Sequence, residues 1–366
     1  MQPNQTRSLC KTCLRIIDAE RIVVGNVEYI QGICPEHGFQ RGVREPNAAF
    51  LQMLRGIATP ENLAGREATS ATMINVTNRC NVRCPQCYHA PSKDKDPSIE
   101  ELLPLFKRAQ RPLLGIQGAE PTVRDDLPDL IAAIKASTGK PVVVCTNGQR
   151  LADRNYCREL VKAGLDAVAF SLHTPEYVGQ RLYDQKLEAL ENINAVNLHL
   201  PGVSITLNRP EEVRPAIESV NEALKLCKSG TNTRFRVAGD LGDEKGSQMR
   251  LSDLVLEFNK VLDETKTPAY IMKGSHPYLL LTQIGQTPTY LIRWPTLEET
   301  DMEDLKHVPM SCLFVPEFGE GMGIHQGHLF AHVRRGGKLP PKDHLGGYTD
   351  LYSKRESALQ KHPDCD

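Results

Sequence analysis

The chain has 366 residues and a formal net charge of −1, and 40% of its residues are hydrophobic. These values are typical of a soluble globular protein with one large domain and a smaller one. The lack of an overall basic field argues against nucleic acid as a partner. The apolar runs are too short to span a bilayer, so we expect no transmembrane segment. No secretion signal is evident, so we expect the protein to stay in the cytoplasm. The 11 cysteines then indicate metal binding in the cytoplasm rather than disulfides.

The first 45 residues carry two pairs of soft metal ligands. Cys10 and Cys13 form one pair, and Cys34 and His37 form a second about 20 residues later, which is a spacing typical of a zinc ribbon. β-Branched runs around a Gly-Asn turn predict a hairpin between the pairs. A segment this short needs a metal to fold. We therefore expect a structural site that holds Zn²⁺, or a mononuclear iron if another cysteine replaces His37.

A linker is predicted over residues 46–70, and a repeating pattern follows over residues 71–265. Short β-branched runs there alternate with amphipathic helical stretches, which indicates a parallel sheet with helical crossovers. The predicted strands cover 73–77, Leu113–Gln117, Val142–Thr146, Ala167–Ser171, 203–207 and 235–238. The predicted helices cover 98–110, 126–138, 151–163, 178–196, 211–228 and 250–264. Six such units predict an α/β fold, a partial (β/α)6 TIM barrel whose functional residues gather at the carboxyl ends of the strands.

The final part, residues 266–366, is predicted to be an α+β extension that closes the barrel and lines the substrate site. Two apolar runs on either side of Gly285 predict a hairpin in this extension.

Three cysteines directly follow the first predicted barrel strand, with the spacing C-x3-C-x2-C. They are Cys80, Cys84 and Cys87. An iron–sulfur cube has four iron corners, so three local thiolates leave one iron open to a ligand that is not protein. An open metal position indicates catalysis rather than a structural role.

This triplet, at the first strand of a partial barrel, resembles the cysteine motif of the radical S-adenosylmethionine (radical SAM) superfamily. The resemblance implies a [4Fe–4S] cluster on the three thiolates, with SAM chelating the open iron. It also implies reductive cleavage of SAM to methionine and a 5′-deoxyadenosyl radical, which abstracts a hydrogen atom from the substrate. An electron donor such as flavodoxin or ferredoxin is then expected as a partner.

A second motif follows the second predicted strand and resembles the family segment GGEP, whose backbone and carboxylate hold the SAM ammonium group. Here it reads Gly118-Ala119-Glu120-Pro121, with alanine in place of the usual second glycine. The resemblance implies further SAM contacts at later strand ends, from Ser171, Asn208 and Arg236. Arg234, on the same strand as Arg236, is the alternative clamp for the SAM carboxylate.

The Cys-Pro-Glu-His-Gly run of the ribbon, combined with the barrel, is similar to the group that contains tetraether lipid synthases and a proposed pterin methylase. No substrate is carried over from that group. The favoured hypothesis is a radical SAM enzyme that acts on a small-molecule, cofactor-precursor or lipid substrate by methyl or alkyl transfer or rearrangement. Two alternatives remain open, a peptide- or protein-modifying enzyme and a non-enzymatic iron–sulfur/zinc adaptor. The remaining cysteines form no C-x2-C pair, so a second cluster is not expected.

Overall fold

The computed structural model describes most of the chain up to residue 293 and little beyond it. The described residues are 4–13, 15–57, 71–84, 87, 93, 95–109, 112–237, 249–262, 271–272, 279–293, 301, 312–314 and 321–322. Most of the predicted C-terminal extension therefore lies outside the described residues. The described part contains a small antiparallel sheet at the N-terminus and a larger mixed sheet.

The N-terminal sheet is an antiparallel ribbon whose strands follow one another in chain order. They are β1 (Gln5–Leu9), β2 (Ile16–Val24), β3 (Val27–Cys34) and β4 (Gly38–Glu45). The predicted hairpin is β2–β3, in which Val24 pairs with Val27 across the Gly-Asn turn. A helix, α1 (Ala48–Ile57), follows within the segment that was predicted as a linker.

Six parallel strands form the centre of the larger sheet, and they lie side by side in chain order. They are β5 (Ala71–Asn75), β6 (Leu113–Gln117), β7 (Val142–Thr146), β8 (Ala167–Ser171), β9 (His199–Leu207) and β10 (Asn232–Val237). All of their carboxyl ends lie at the same edge of the sheet because the strands are parallel. This arrangement confirms the predicted partial (β/α)6 barrel with an N-terminal ribbon.

Helices connect the strands and cover the outer face of the sheet. They are α2 (Ile99–Arg108), α3 (Leu127–Thr138), α4 (Arg154–Lys162), α5 (Pro175–Val178), α6 (Gln180–Ala195), α7 (Val213–Lys225) and α8 (Leu251–Leu262). Helix α2 begins with a capping box, in which the side chains of Ser98 and Glu101 each accept a hydrogen bond from the other residue's backbone amide. The helix predicted over 178–196 is interrupted at Gly179, whose φ of 85° no helical residue adopts.

Strands from the C-terminal part extend the central sheet at both edges, which the sequence did not predict. On one side β13 (Thr287–Arg293) lies parallel to β10, and it continues into β12 (Leu279–Ile284) and β11 (Ile271–Met272). The turn between β12 and β13 contains Gly285, so the predicted hairpin is present. On the other side β14 (Cys312–Phe314) lies parallel to β5 and pairs with β15 (Gly321–Met322).

The ribbon contacts the barrel through buried polar groups. Arg250, just before α8, donates to the carbonyl oxygen of Val43 at 3.2 Å, and Ser252 donates to the carboxylate of Glu45. Asp301, from the C-terminal part of the chain, packs against the ribbon. Its carboxylate accepts hydrogen bonds from three ribbon residues, Thr6, Arg21 and Arg44. Within the described residues, no helix is long and apolar enough to cross a membrane.

Candidate functional site

The ribbon brings its four predicted ligands together at one end, where their ligand atoms all lie within 4.8 Å of one another. The Nδ1 atom of His37 lies 3.6 Å from the sulfur of Cys10 and 3.5 Å from that of Cys34. The sulfurs of Cys13 and Cys34 are 3.8 Å apart. A tetrahedral Zn²⁺ ion requires about 3.8 Å between two sulfurs and about 3.5 Å between sulfur and nitrogen. The spacing of these side chains therefore fits one tetrahedral ion, with His37 as the fourth ligand.

The environment of Cys34 lowers the pKa of its thiol and so favours the thiolate that binds metal. Burial raises its pKa, but hydrogen bonds from His37 and from the backbone outweigh burial and lower the pKa to about 6. Since thiolates and not thiols bind metal, this environment favours metal binding near neutral pH.

The cysteine triplet lies in the loop that follows β5, and its three thiols are half-buried. Arg79 fixes the start of this loop, because its Nε donates to Asp96 at 3.0 Å. Burial raises the pKa of Cys80 and of Cys84 to about 11, so these thiols stay protonated at neutral pH unless a cation is bound. Coordinated iron supplies such a charge and deprotonates the thiols that bind it.

The triplet supplies three thiolates from one loop. Three thiolates bind three irons of a cube and leave the fourth iron open, whereas a closed tetrahedral site for a single ion has four protein ligands, as in the ribbon. The donor set of the triplet therefore fits a [4Fe–4S] cluster.

Glu120, at the carboxyl end of β6, is a buried carboxylate fixed by its neighbours. Its Oε1 accepts hydrogen bonds from the backbone amide and the hydroxyl of Thr122, at 3.0 and 2.7 Å, and from the hydroxyl of Thr146 at 2.7 Å. Its Oε2 accepts the amide of Asn147 at 2.6 Å. Among the described residues, Oε1 thus accepts three hydrogen bonds and Oε2 accepts one. Oε2 is therefore the oxygen that would bind a cationic ligand.

Asn147 joins this carboxylate to the triplet. Its side-chain amide donates to the Oδ1 of Asn81 at 2.8 Å and lies 4.0 Å from the sulfur of Cys80, while its backbone amide donates to Glu120. The loops after β5, β6 and β7 thus converge at one point. The sequence places both motifs at strand ends, and the structure brings these ends into contact.

Gly118 allows the loops after β5 and β6 to approach each other. A Cβ atom at this position would lie 2.5 Å from the carbonyl oxygen of Thr77, a distance that side chains do not tolerate. The next amide, of Ala119, donates to that same carbonyl oxygen at 3.0 Å. A glycine is therefore required at the first position of the motif for steric reasons.

Lys186 on α6 is a buried cation that the sequence analysis did not single out. Its amino group donates to the carbonyl oxygen of Ser171 at 2.8 Å and also to that of Asn147. Burial lowers its pKa to about 8, although the charges of Glu120, Cys84 and Cys80 act in the opposite direction. The amino group therefore joins the ends of β7 and β8 within electrostatic range of the triplet.

A sequence signal for Lys186 exists. It lies between Tyr183 and Leu190 at helical spacing, and both of these neighbours are buried. A lysine on the apolar stripe of an amphipathic helix is rare unless its amino group has buried partners.

His173 is a second residue that the sequence analysis missed. It lies two residues beyond β8 with a φ of 66°, which costs a non-glycine residue free energy. Its Nδ1 is buried with no hydrogen-bond partner among the described residues, and its ring lies 4.9 Å from that of Tyr177. Burial, and then the charge of Lys186, lower its pKa to about 3, so the imidazole stays neutral at physiological pH.

The remaining predicted contacts lie on neighbouring strands. Ser171 ends β8, Asn208 directly follows β9, and Arg236 lies on β10 in register with Thr206 of β9. The backbone amide of Asn208 donates to Glu212 at 2.6 Å. Lys186 connects Ser171 to the centre formed by the first three loops. Asn208 and Arg236 lie on or next to β9 and β10, the two central strands farthest from β5 and the triplet.

Comparison with known proteins identifies the family. A family model described as the radical SAM superfamily matches residues 74–232, and one described as the HMPTM N-terminal zinc ribbon domain matches residues 2–43. The Fe-coproporphyrin III synthase of Methanosarcina barkeri is 31% identical over 276 residues, which are 68% of this chain and 67% of that protein. The chain belongs to the radical SAM superfamily. It is therefore an enzyme, and its family implies a [4Fe–4S] cluster and SAM.

Other radical SAM relatives match shorter segments. The 7,8-dihydro-6-hydroxymethylpterin dimethyltransferase of Methanocaldococcus jannaschii is 28% identical over 225 residues, 52% of this chain and 44% of that protein. A probable GTP 3′,8-cyclase of Thermococcus kodakarensis is 33% identical over 156 residues, 39% of this chain and 48% of that protein. The chain thus spans less than half the length of these two relatives. The names of all three relatives denote enzymes of small molecules or cofactors.

Among solved structures, the radical SAM chain is similar to Streptococcus suis SuiB. That similarity has a TM-score of 0.44 and 14% identity, and it covers 70% of this chain and 68% of SuiB. Methylornithine synthase (PylB) gives a TM-score of 0.38 and 13% identity over 58% of this chain and 74% of that protein.

Proposed function

We propose that this enzyme cleaves SAM reductively at a [4Fe–4S] cluster held by Cys80, Cys84 and Cys87. When bound, the cluster supplies the electron that splits the sulfonium of SAM into methionine and a 5′-deoxyadenosyl radical. The radical takes a hydrogen atom from a small-molecule, cofactor-precursor or lipid substrate, which then undergoes methyl or alkyl transfer or rearrangement. The names of the relatives support a small-molecule or cofactor substrate.

The observation that carries the proposal is the connection from Cys80 to Glu120 through Asn147. It links the thiols that would hold the cluster to a buried carboxylate whose Oε2 accepts one hydrogen bond from the described residues. The SAM ammonium group would donate to this oxygen beside the open iron. Gly118, Ala119, Ser171, Asn208 and Arg236 are proposed as the further SAM contacts.

The test is the formation of 5′-deoxyadenosine by anaerobically reconstituted protein reduced with dithionite, measured by mass spectrometry. We expect the product from the wild type and none from Cys84→Ala. Cys227→Ala is the matched control, because that half-buried thiol donates to the carbonyl oxygen of Ala223 on α7, away from the triplet. Undiminished 5′-deoxyadenosine from Cys84→Ala would contradict the assignment. Deuterated candidate substrates then show which hydrogen atom is removed.

The ribbon is proposed as a closed structural site for Zn²⁺ on Cys10, Cys13, Cys34 and His37. A closed tetrahedral site leaves no position for a substrate, so its role is stability. A division into ribbon 1–45, linker 46–70, barrel 71–265 and extension 266–366 remains our proposal for the domains. We also propose that the enzyme is cytoplasmic and receives electrons from a flavodoxin or ferredoxin.

A further inference from the structure

The inner faces of β5 to β10 enclose a space that we call the lumen. Side chains alternate along each strand, so the residues that do not face the helices face the lumen. On β10, Phe235 and Val237 belong to the core under the helices. Arg234 and Arg236 alternate with them and are half-buried, so they face the lumen.

The charged side chains on the strands around the lumen are all positive. The sequences of β5 to β10 contain two arginines, no lysine and no acidic residue. Arg234 makes no hydrogen bond or ion pair with any residue that the structure describes. A half-buried guanidinium with no anion beside it gains free energy when an anion binds it, so the lumen is electrostatically suited to an anionic ligand.

The inward-facing side chains beside Arg234 are short and half-buried. Strand register places Arg234 in a row with Ser204 and Ser171, and Ala169 lies one row below. The side-chain oxygen of Asn232 occupies the space beside the other small residue of that lower row, Gly202. Both arginines act electrostatically on Cys145 of β7, three strands away, where burial raises the thiol pKa to about 11 and their charges oppose the rise. Arg234 therefore lies beside short, half-buried side chains, and the charges of both arginines act across the lumen on β7.

The two arginines lie at different depths. Arg236 is two residues nearer the carboxyl ends of the strands, where the proposed SAM site lies, and it is in register with Thr206. Arg234 lies one layer deeper, on the level of Ser204. A ligand at the strand ends that also reaches into the lumen would meet Arg236 first and Arg234 second.

We propose that Arg234 binds an oxyanion group of the substrate, a carboxylate or a phosphate, inside the lumen. The planar guanidinium fork matches the geometry of both groups. The substrate class is therefore an anionic small molecule whose charged end lies below SAM. The inference rests on the proposed function, because it names the substrate class of the same site.

The test uses the full-length reconstituted protein with saturating SAM, and its probes are inorganic phosphate and glutarate. The midpoint of thermal unfolding is followed by calorimetry at constant ionic strength, with the neutral diamide glutaramide as the control ligand. We expect a saturable rise for at least one anion and none for glutaramide. The anion that saturates at the lower concentration identifies the group as phosphate or carboxylate.

Arg234→Gln should weaken this anion binding by at least about tenfold, because a charge-assisted pair is lost. Arg214→Gln, an exposed arginine on α7, is the matched control and should bind as the wild type does. Equal binding by Arg234→Gln and the wild type overturns the proposal, and so does the lack of any saturable rise in the wild type.

SAM also carries a carboxylate, so its own site must be distinguished. If saturating SAM abolishes the anion effect that is seen without SAM, Arg234 belongs to the SAM site and the proposal is wrong. Formation of 5′-deoxyadenosine by the wild type without any anion tests the proposed function separately. A wild type that binds the anion but never cleaves SAM contradicts the proposed function alone.

Discussion

Asp301 accepts a 2.8 Å hydrogen bond from Arg44, although 257 residues of sequence separate them and both side chains are fully buried. A second arginine, Arg21, donates to the same carboxylate at 2.7 Å. The pair therefore joins the ribbon to the C-terminal part of the chain. Buried ion pairs are destabilising to break, because the remaining charge has no water and no partner.

Asp301→Asn is expected to lower the free energy of unfolding at pH 7 by about 3 kcal/mol. Burial raises the pKa of Asp301, but the charges of Arg44 and Arg21 hold it well below its usual range. The carboxylate thus stabilises the protein above its unfolded pKa of about 4, and this contribution is lost as pH falls toward the folded pKa. Urea unfolding at pH 7 and pH 3 measures the change.

The matched control is Asp125→Asn, whose side chain is 99% exposed. It should change stability by no more than about 0.5 kcal/mol at either pH. If Asp301→Asn is as stable as this control at pH 7, the buried pair does not stabilise the fold.

Gly118→Ala is expected to destabilise the protein by about 1–3 kcal/mol, because the added methyl group meets the Thr77 carbonyl oxygen. It should also reduce SAM cleavage, since the loops after β5 and β6 must then move apart. The midpoint of urea unfolding and the yield of 5′-deoxyadenosine are the measurements. Ala119→Gly is the neighbouring control, and a Gly118→Ala protein as stable as this control argues against close contact of the two loops.

Much of the barrel could be predicted because the outer faces of its strands are apolar. The predicted bounds of β6, β7 and β8 agree with the structure. The predicted bounds of β10 start at residue 235, three residues late, because the polar residue Asn232 is typical of a loop, although it belongs to the strand. The start of β9 was missed because Pro201 and Gly202 are typical of turns.

The candidate site likewise has residues that the sequence predicted and residues that it did not. Its cysteine ligands have fixed local spacings, so they could be read from the sequence. Lys186 and His173 act through partners that are distant in sequence or through backbone conformation, which spacing does not encode. The parallel pairing of β13 with β10 and the ion pair of Asp301 with Arg44 are likewise long-range, so no local pattern predicts them.

Lys186→Met tests the buried cation. The pKa of Lys186 in the folded protein, about 8, lies below the ordinary lysine value of about 10.5. Between these pH values the unfolded chain binds more protons, so wild-type stability rises with pH. The wild type should gain about 3 kcal/mol relative to the variant from pH 8 to pH 10.5. Urea unfolding across this range measures the difference, with exposed Lys225→Met as the control. A flat difference would mean that Lys186 is not buried as described.

His37 variants test the metal of the ribbon. His37→Ala should lose about one equivalent of metal per chain, because three thiolates leave a tetrahedral site incomplete. His37→Cys should keep the metal, since a thiolate can replace the imidazole. Elemental analysis by mass spectrometry gives the stoichiometry and separates zinc from iron. Exposed His199→Ala is the control, and a full equivalent of metal in His37→Ala would show that another group is the fourth ligand.

His173 variants test the strained backbone after β8. His173→Asn should fold with wild-type stability, because asparagine adopts positive φ readily. His173→Val should lose about 1–2 kcal/mol, since a β-branched residue does not. Thermal unfolding of both variants checks this order. Equal stability of the two would contradict a left-handed conformation at this position.

The pairing of β13 with β10 and of β14 with β5 has a consequence for synthesis of the chain. Both edges of the six-stranded centre receive their neighbours from residues beyond 286, which leave the ribosome after the six central strands. Until then a nascent chain presents two open strand edges, each of which can pair with another polypeptide. Newly made protein is therefore prone to aggregate until β13 and β14 have emerged, and truncation before β13 would make that state permanent.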